Sequence, residues 1–228
     1  MILEERLSLI RKILKKEGTV SNSSLLEELD ISESTLRRDL DYLQKNGKIR
    51  RVHGGATLNR LLEETNYKYN ETSNISAKKN IGKKASSLIE DGSYIFLDAG
   101  TTTHCLIDYL VNKKITVVTN GLMHLEKLSG FSIPTIILGG KVKGSTFISY
   151  GEETINEINS LNFDIAFIGA NGVDDSYYTT ADINEALIKK AAINNANKAY
   201  ILADSSKIGK KYFANICSFE QAKHIKED

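Results

Sequence analysis

Residues 32–56 read SESTLRRDLDYLQKNGKIRRVHGGA. Leu36, Leu40 and Leu43 recur at helical spacing, so the first half predicts an amphipathic helix. Ser32 is placed to cap it and Gly47 to stop it. Lys48–Val52 then reads as a short basic strand, ended by His53-Gly54-Gly55. Upstream, Leu3, Leu7, Ile10 and Leu14 predict a helix over residues 3–16, stopped by Gly18. Leu25, Leu26 and Leu29 predict a shorter one, capped within Ser21–Ser24. Asp30-Ile31-Ser32 is a tight turn between the second helix and the third, which is the helix-turn-helix arrangement.

Such a unit needs an apolar face, a polar leading end on its third helix, and cations behind it. Leu25, Leu29, Ile31, Leu36, Leu40 and Leu43 supply the face. Ser32, Ser34 and Thr35 are small enough to enter a major groove, and Arg37 and Arg38 follow within one turn. An arginine can pair bidentately with guanine. A wing built from residues 48–53 would lay Lys48, Arg50, Arg51 and His53 along the phosphate backbone, positioning the protein without reading sequence. From Arg37 to His53 there are 6 basic and 2 acidic residues, an excess suited to a polyanion, although a solvated charge run would look the same. A helical dimerisation or protein-binding module is the other reading of the pattern.

The chain has 228 residues, a net charge of +1, 41% hydrophobic and 26% charged residues, which describes an ordinary globular protein with room for two domains. Two cysteines, Cys105 and Cys217, make no disulfide framework. With His53, His104, His124 and His224 they show no metal-ligand spacing, so neither a metal nor a cofactor is expected. The amphipathic, charged N-terminus is unlike a signal peptide, and no apolar run approaches the ~20 residues that span a bilayer. The expectation is a cytoplasmic protein with no membrane partner.

The domain boundaries read as 1–57 for the winged helix-turn-helix, 58–73 for a polar linker and 74–228 for a second domain. In the latter, apolar strand-like runs (Tyr94–Leu97, Ile115–Thr119, Thr135–Leu138, Ile165–Ile168, Ala199–Leu202) alternate with helical patterns (Ile75–Ile89, Thr103–Leu110, Leu122–Leu128, Glu152–Ile158, Ile183–Asn194). Alternation of this kind predicts an α/β fold with a mostly parallel sheet. Its strand ends carry polar and glycine-rich loops: Asp98-Ala99-Gly100-Thr101-Thr102-Thr103, Thr119-Asn120-Gly121, Gly169-Ala170-Asn171-Gly172 and Asp204-Ser205-Ser206-Lys207. Ligands bind such sheets at the carboxyl ends of strands. The threonine run is equally an anion site or a cluster of helix caps. Glu185 and Lys189, four apart on one helical face, are either a surface ion pair or a pair aimed at a ligand.

The stretch 32–56 resembles the DNA-binding signature of the DeoR family of bacterial regulators. Ser32, Thr35, Leu36, Arg37, Arg38, Asp39, Leu40, Gly47, Ile49, Arg51, His53, Gly54, Gly55 and Ala56 carry the likeness. Asp39 is read not as a base reader but as pairing with a neighbouring arginine or holding the helix in place. Further along, IGKKASSLIEDGSYIFLDAGTTT, VVTN, ILGG, DIAFIGANGV, TTADINEALIKKA and ILADSSKIG are similar, in order, to the family's sugar-sensing domain. The resemblance implies a fold like ribose-5-phosphate isomerase and a repressor of a sugar or polyol catabolic operon. It further implies operator DNA and a phosphorylated sugar or polyol as partners, and a homodimer or homotetramer. It implies an effector-facing set of Asp98, Gly100, Thr101, Thr102, Thr119, Asn120, Gly169, Asn171, Glu185, Lys189, Asp204 and Lys207. A regulator and not an enzyme is expected, the alternative being an isomerase-like enzyme with an appended DNA-binding domain. Two departures from the family stand out. Tyr177-Tyr178 replaces Gly-Leu, which could narrow the pocket or stack on the ligand. ANICSFEQAKHIKED replaces the usual ending, so that either the domain has lost an edge element or the gene product is shortened.

Overall fold

A computed structural model describes residues 2–45, 48–52, 54–58 and 73–228. The chain divides into two units, Met1–Glu63 and Glu64–Asp228. Gly47, His53 and most of the expected linker lie outside the described residues.

The first unit holds helices α1 (Leu3–Glu17), α2 (Asn22–Leu29) and α3 (Glu33–Lys45) and strands β1 (Thr19–Ser21), β2 (Ile49–Val52) and β3 (Gly55–Leu58). Gly18 ends α1 at φ 81°, Ser21 caps α2 by accepting the Ser24 N–H, and Asp30 turns the chain in the left-handed region. Ile10, Leu14, Leu25, Leu29, Leu36, Leu40, Leu43 and Ile49 close into one core. Asp39 of α3 is a buried charge. Arg6 of α1 grips its carboxylate with two nitrogens, at 2.7 and 3.1 Å, and this pairing holds the guanidinium pKa above its ordinary value.

The sequence predicted one wing strand; the structure has a three-stranded antiparallel sheet in the order β1-β3-β2. Two glycines make this possible. Gly54, at φ 74°, turns β2 into β3, and Gly55 packs so closely against β1 that a side chain there would strike the Val20 carbonyl oxygen.

The second unit holds helices α4 (Ile75–Ser86), α5 (Thr101–Leu106), α6 (Leu125–Gly130), α7 (Glu152–Asn159) and α8 (Ile183–Asn194). Its strands include β4 (Tyr94–Leu97), β5 (Thr116–Thr119), β6 (Thr135–Ile137), β9 (Phe163–Gly169), β12 (Ala196–Leu202) and β14 (Lys223–Ile225). These six form a parallel sheet in the order β14-β12-β9-β4-β5-β6. Alternate residues face opposite sides. Ile95, Leu97, Val117, Ile165 and Phe167 pack against α4, α5 and α6. Phe96, Val118, Ala166 and Ile168 pack towards α7 and α8. Both faces are thus covered, as a parallel sheet requires.

The chain winds outward from β4 through β5 to β6, then returns to β9 and winds the other way. The direction switches between β4 and β9, which is where open α/β sheets form their ligand crevice.

Three small features escaped the periodicity reading. A hairpin joins β7 (Lys141–Lys143) to β8 (Ile148–Tyr150), and an antiparallel sheet joins β10 (Gly172–Val173), β11 (Tyr177–Thr180) and β13 (Ala214–Ser218). The last concerns the C-terminal segment. It supplies β13 and then β14, which pairs with β12 at one edge of the parallel sheet.

Gly55→Ala should destabilise the first unit by about 1–3 kcal/mol, because the added methyl forces β3 away from β1. Urea unfolding followed by circular dichroism checks this; unchanged stability would mean that the two strands can separate freely.

Candidate functional site

The switch point opens into a cavity of about 100 Å³. Ala99, Gly100, Thr101 and Thr102 come from the loop after β4 and the first turn of α5. Gly169, Ala170 and Asn171 follow β9, and Leu202 and Lys207 come from the end of β12 and the turn after it. Ala181, Glu185 and Lys189 line it from α8 and its approach, Lys78 from α4, and Thr146 from the β7–β8 turn.

Of the twelve residues in the expected effector set, Gly100, Thr101, Thr102, Gly169, Asn171, Glu185, Lys189 and Lys207 meet here. Four do not line the cavity, for identifiable reasons. Thr119 is fully buried, its hydroxyl donating to the Leu97 carbonyl at 2.5 Å and accepting the Gly121 N–H. Asn120 accepts the Ala99 N–H and donates to the Ser149 carbonyl, tying β5 to its neighbours. Asp204 caps the turn Ser205–Lys207 and accepts from the Asn74 amide. Asp98 is buried, and its carboxylate accepts the Gly169 N–H at 2.8 Å and the Lys189 ammonium at 2.5 Å. The tyrosines that were to narrow the pocket are elsewhere: Tyr178 packs on Phe219 and His224, and Tyr177 is exposed.

Sequence reading missed Lys78 and Thr146. Lys78 is 3% exposed, and burial lowers its pKa against the opposing charge of Asp204. Burial pushes the Glu185 carboxyl above its ordinary 4.5, with Lys189 pulling it down and Asp98 adding to the rise. The Asn171 carbonyl accepts from the Thr180 hydroxyl at 2.6 Å, which turns the amide NH₂ towards other partners. Polar groups of three kinds therefore converge: ammoniums, an amide and a carboxyl with a raised affinity for its proton.

A histidine pair lies beside this site. His124 is buried and pushed down to about 3, first by desolvation, so it is neutral. Its Nε2 must donate to the Asp98 carbonyl oxygen, at 3.0 Å, which leaves Nδ1 to accept from Nδ1–H of His104 at 3.1 Å. The thiols of Cys105 and Cys217 are buried and raised, Cys217 to about 12, which makes them poor nucleophiles. Among the described residues no group of three His, Cys, Asp or Glu could hold a metal ion.

In the first unit, Ser32 accepts the Thr35 N–H, so it caps α3, and its hydroxyl also bonds the Thr35 hydroxyl at 2.9 Å. Ser34, Arg37 and Arg38 are exposed, opposite the buried leucines, and Lys48 and Arg50 are exposed on the wing. Arg51 is paired with Asp41 of α3 at 2.7 Å. Arg37 and Arg51 line one groove between α3 and the wing.

Residues 6–61 match the DeoR-like helix-turn-helix domain, and residues 73–228 match the DeoR C terminal sensor domain. The chain belongs to the DeoR family. It is a helix-turn-helix transcription regulator. A DeoR-family relative from Bacillus subtilis, an uncharacterized HTH-type transcriptional regulator FruR, is 40% identical over 100% of this chain and 92% of its own length. The lactose phosphotransferase system repressors of Staphylococcus epidermidis and Staphylococcus aureus are 34% and 33% identical, over 98% and 95% of this chain and 91% and 88% of their own lengths. Among solved structures, ribose 5-phosphate isomerase A of Methanocaldococcus jannaschii is similar with a TM-score of 0.45 at 23% identity, over 60% of this chain and 55% of that one. Translation initiation factor eIF-2B of Pyrococcus horikoshii reaches 0.50 at 14% identity, over 100% of this chain and 82% of that one, a likeness of fold. No helix among the described residues of this DeoR regulator is long and apolar enough to cross a membrane.

Two outcomes follow from the buried charges. Lys189→Met should destabilise the second unit by about 3–5 kcal/mol by stranding Asp98, and adding Asp98→Asn should recover much of the loss in a double-mutant cycle followed by urea unfolding. Glu185 has a raised folded pKa, so its contribution is fully present below the unfolded value and is lost as pH rises through the folded one. Glu185→Gln should therefore raise stability at pH 7 and flatten the decline above 4.5, measured as Tm against pH.

Proposed function

We propose that this regulator represses genes for the uptake or breakdown of a sugar or polyol, and that a phosphorylated form of that compound in the sensor cavity releases it from operator DNA. The observation that carries this reading is the composition of the cavity at the sheet's switch point. Lys78, Lys189 and Lys207, with the first-turn N–H groups after Gly100, suit a phosphate. Asn171 and Glu185 suit hydroxyl groups, which both donate and accept. The lactose phosphotransferase repressors among the relatives favour the same class of signal.

On DNA, α3 enters the major groove with Ser32, Ser34, Thr35, Arg37 and Arg38 leading, and the wing lays Lys48, Arg50, Arg51 and His53 against phosphates. A homodimer or homotetramer fits the paired half-sites that helix-turn-helix proteins read. Release by effector requires that it bind one arrangement of the protein more tightly than the other.

Gel-shift titration on the promoter region of its own gene, with sugar phosphates added, tests the proposal. Absence of any shift at low salt would sink it. Arg37→Ala should lose about 1–3 kcal/mol of discrimination between operator and mutated operator. Arg51→Ala should weaken binding to all sequences alike and flatten the salt slope by about one unit.

A further inference from the structure

The β7–β8 hairpin carries a side chain that the fold does not use. Thr146 lies in its turn and lines the sensor cavity, and its Oγ1 is buried with no hydrogen-bond partner among the described residues. Buried hydroxyls are normally paired, because burial removes their bonds to water.

The turn is held in this shape from both ends. On one side the Leu122 N–H donates to the Phe147 carbonyl at 2.9 Å and the Ser149 N–H to the Asn120 carbonyl at 2.8 Å, which fastens it to the end of β5. On the other, Lys143 reaches Asp182, the N-cap of α8, at 2.6 Å and Glu185 at 4.0 Å. Between them Phe147 sits at φ 53°, a conformation that a bulky residue rarely adopts. The residue is 42% exposed, so burial of a large side chain does not account for that backbone. A strained backbone over-determined by its surroundings, beside an orphaned hydroxyl in a cavity, points to recognition.

Chemistry narrows the ligand group. A threonine hydroxyl donates one hydrogen bond and accepts others. A phosphate oxygen would use only the donor, and the cavity already offers Lys78, Lys189 and Lys207 to an anion. A ligand hydroxyl uses both capacities. We propose that Thr146 reads a hydroxyl of the sugar or polyol portion of the effector, which makes the β7–β8 turn a specificity element of the sensor. This rests on the sugar-phosphate reading above.

Thr146→Val keeps the branched shape and removes the hydroxyl; Thr146→Ser keeps the hydroxyl. Full-length wild type and both variants are compared by calorimetric titration and thermal melting with glucose 6-phosphate, fructose 1-phosphate, fructose 6-phosphate, ribose 5-phosphate and glycerol 3-phosphate. The valine variant should bind the best probe about tenfold more weakly, and the serine variant within a few-fold of wild type. Without ligand, the valine variant should melt at or above the wild-type temperature, since no stranded hydroxyl remains. Wild-type affinity in the valine variant overturns this inference alone, as does a marked fall in its unliganded melting temperature. Failure of wild type to bind any probe overturns the sugar-phosphate reading and this inference with it.

Discussion

Asp98 is where the sensor unit is tied together. Its N–H donates to Phe167 at 3.0 Å, and its carbonyl takes the Thr103 hydroxyl at 2.6 Å as well as His124. Its carboxylate joins the end of β9 to α8 through Gly169 and Lys189. One residue thus links β4, β9, α5, α8 and the turn before α6. A buried carboxylate is tolerable only with such a set of donors. Because the links meet at the switch point, they also fix the spacing of the loops that wall the cavity.

The first unit has a smaller counterpart. Asp39 sits on the buried side of α3, where a leucine would continue the apolar stripe, and Arg6 holds it from α1. The pair fixes α3 in rotation, so that Arg37 and Arg38 are exposed away from the core. The charge that stands out in the sequence among Arg37, Arg38 and Asp39 therefore divides by helix face: two outward cations, one inward anion.

Much of this was legible from spacing alone. Leu36, Leu40 and Leu43 marked α3, and Tyr94–Leu97 and Ile183–Asn194 were found with their observed bounds. Long amphipathic helices and buried parallel strands carry their period in every residue. The strands β1, β7, β10 and β14, of two or three residues, carry too few alternations to register, and β1 and β14 also pair with strands distant in sequence. The site was legible to the level of loops but not of side-chain direction. Thr119 and Thr102 look alike at strand ends, yet one turns back onto Leu97 and the other faces the cavity. Lys78 and Thr146 reach the cavity from elements with no motif, so only the folded chain brings them there.

The glycines have a separate consequence for comparing relatives. Gly55 lies against the Val20 carbonyl, and a side chain at Gly82 would come within 2.9 Å of the Cys105 carbonyl oxygen. Neither position lines the cavity, and neither has a side chain to offer a nucleic acid. Invariance at these two columns of an alignment would record a steric limit on how closely backbones approach. The signal that distinguishes one regulator's inducer or target from another's belongs at positions free to vary in chemistry without moving the main chain.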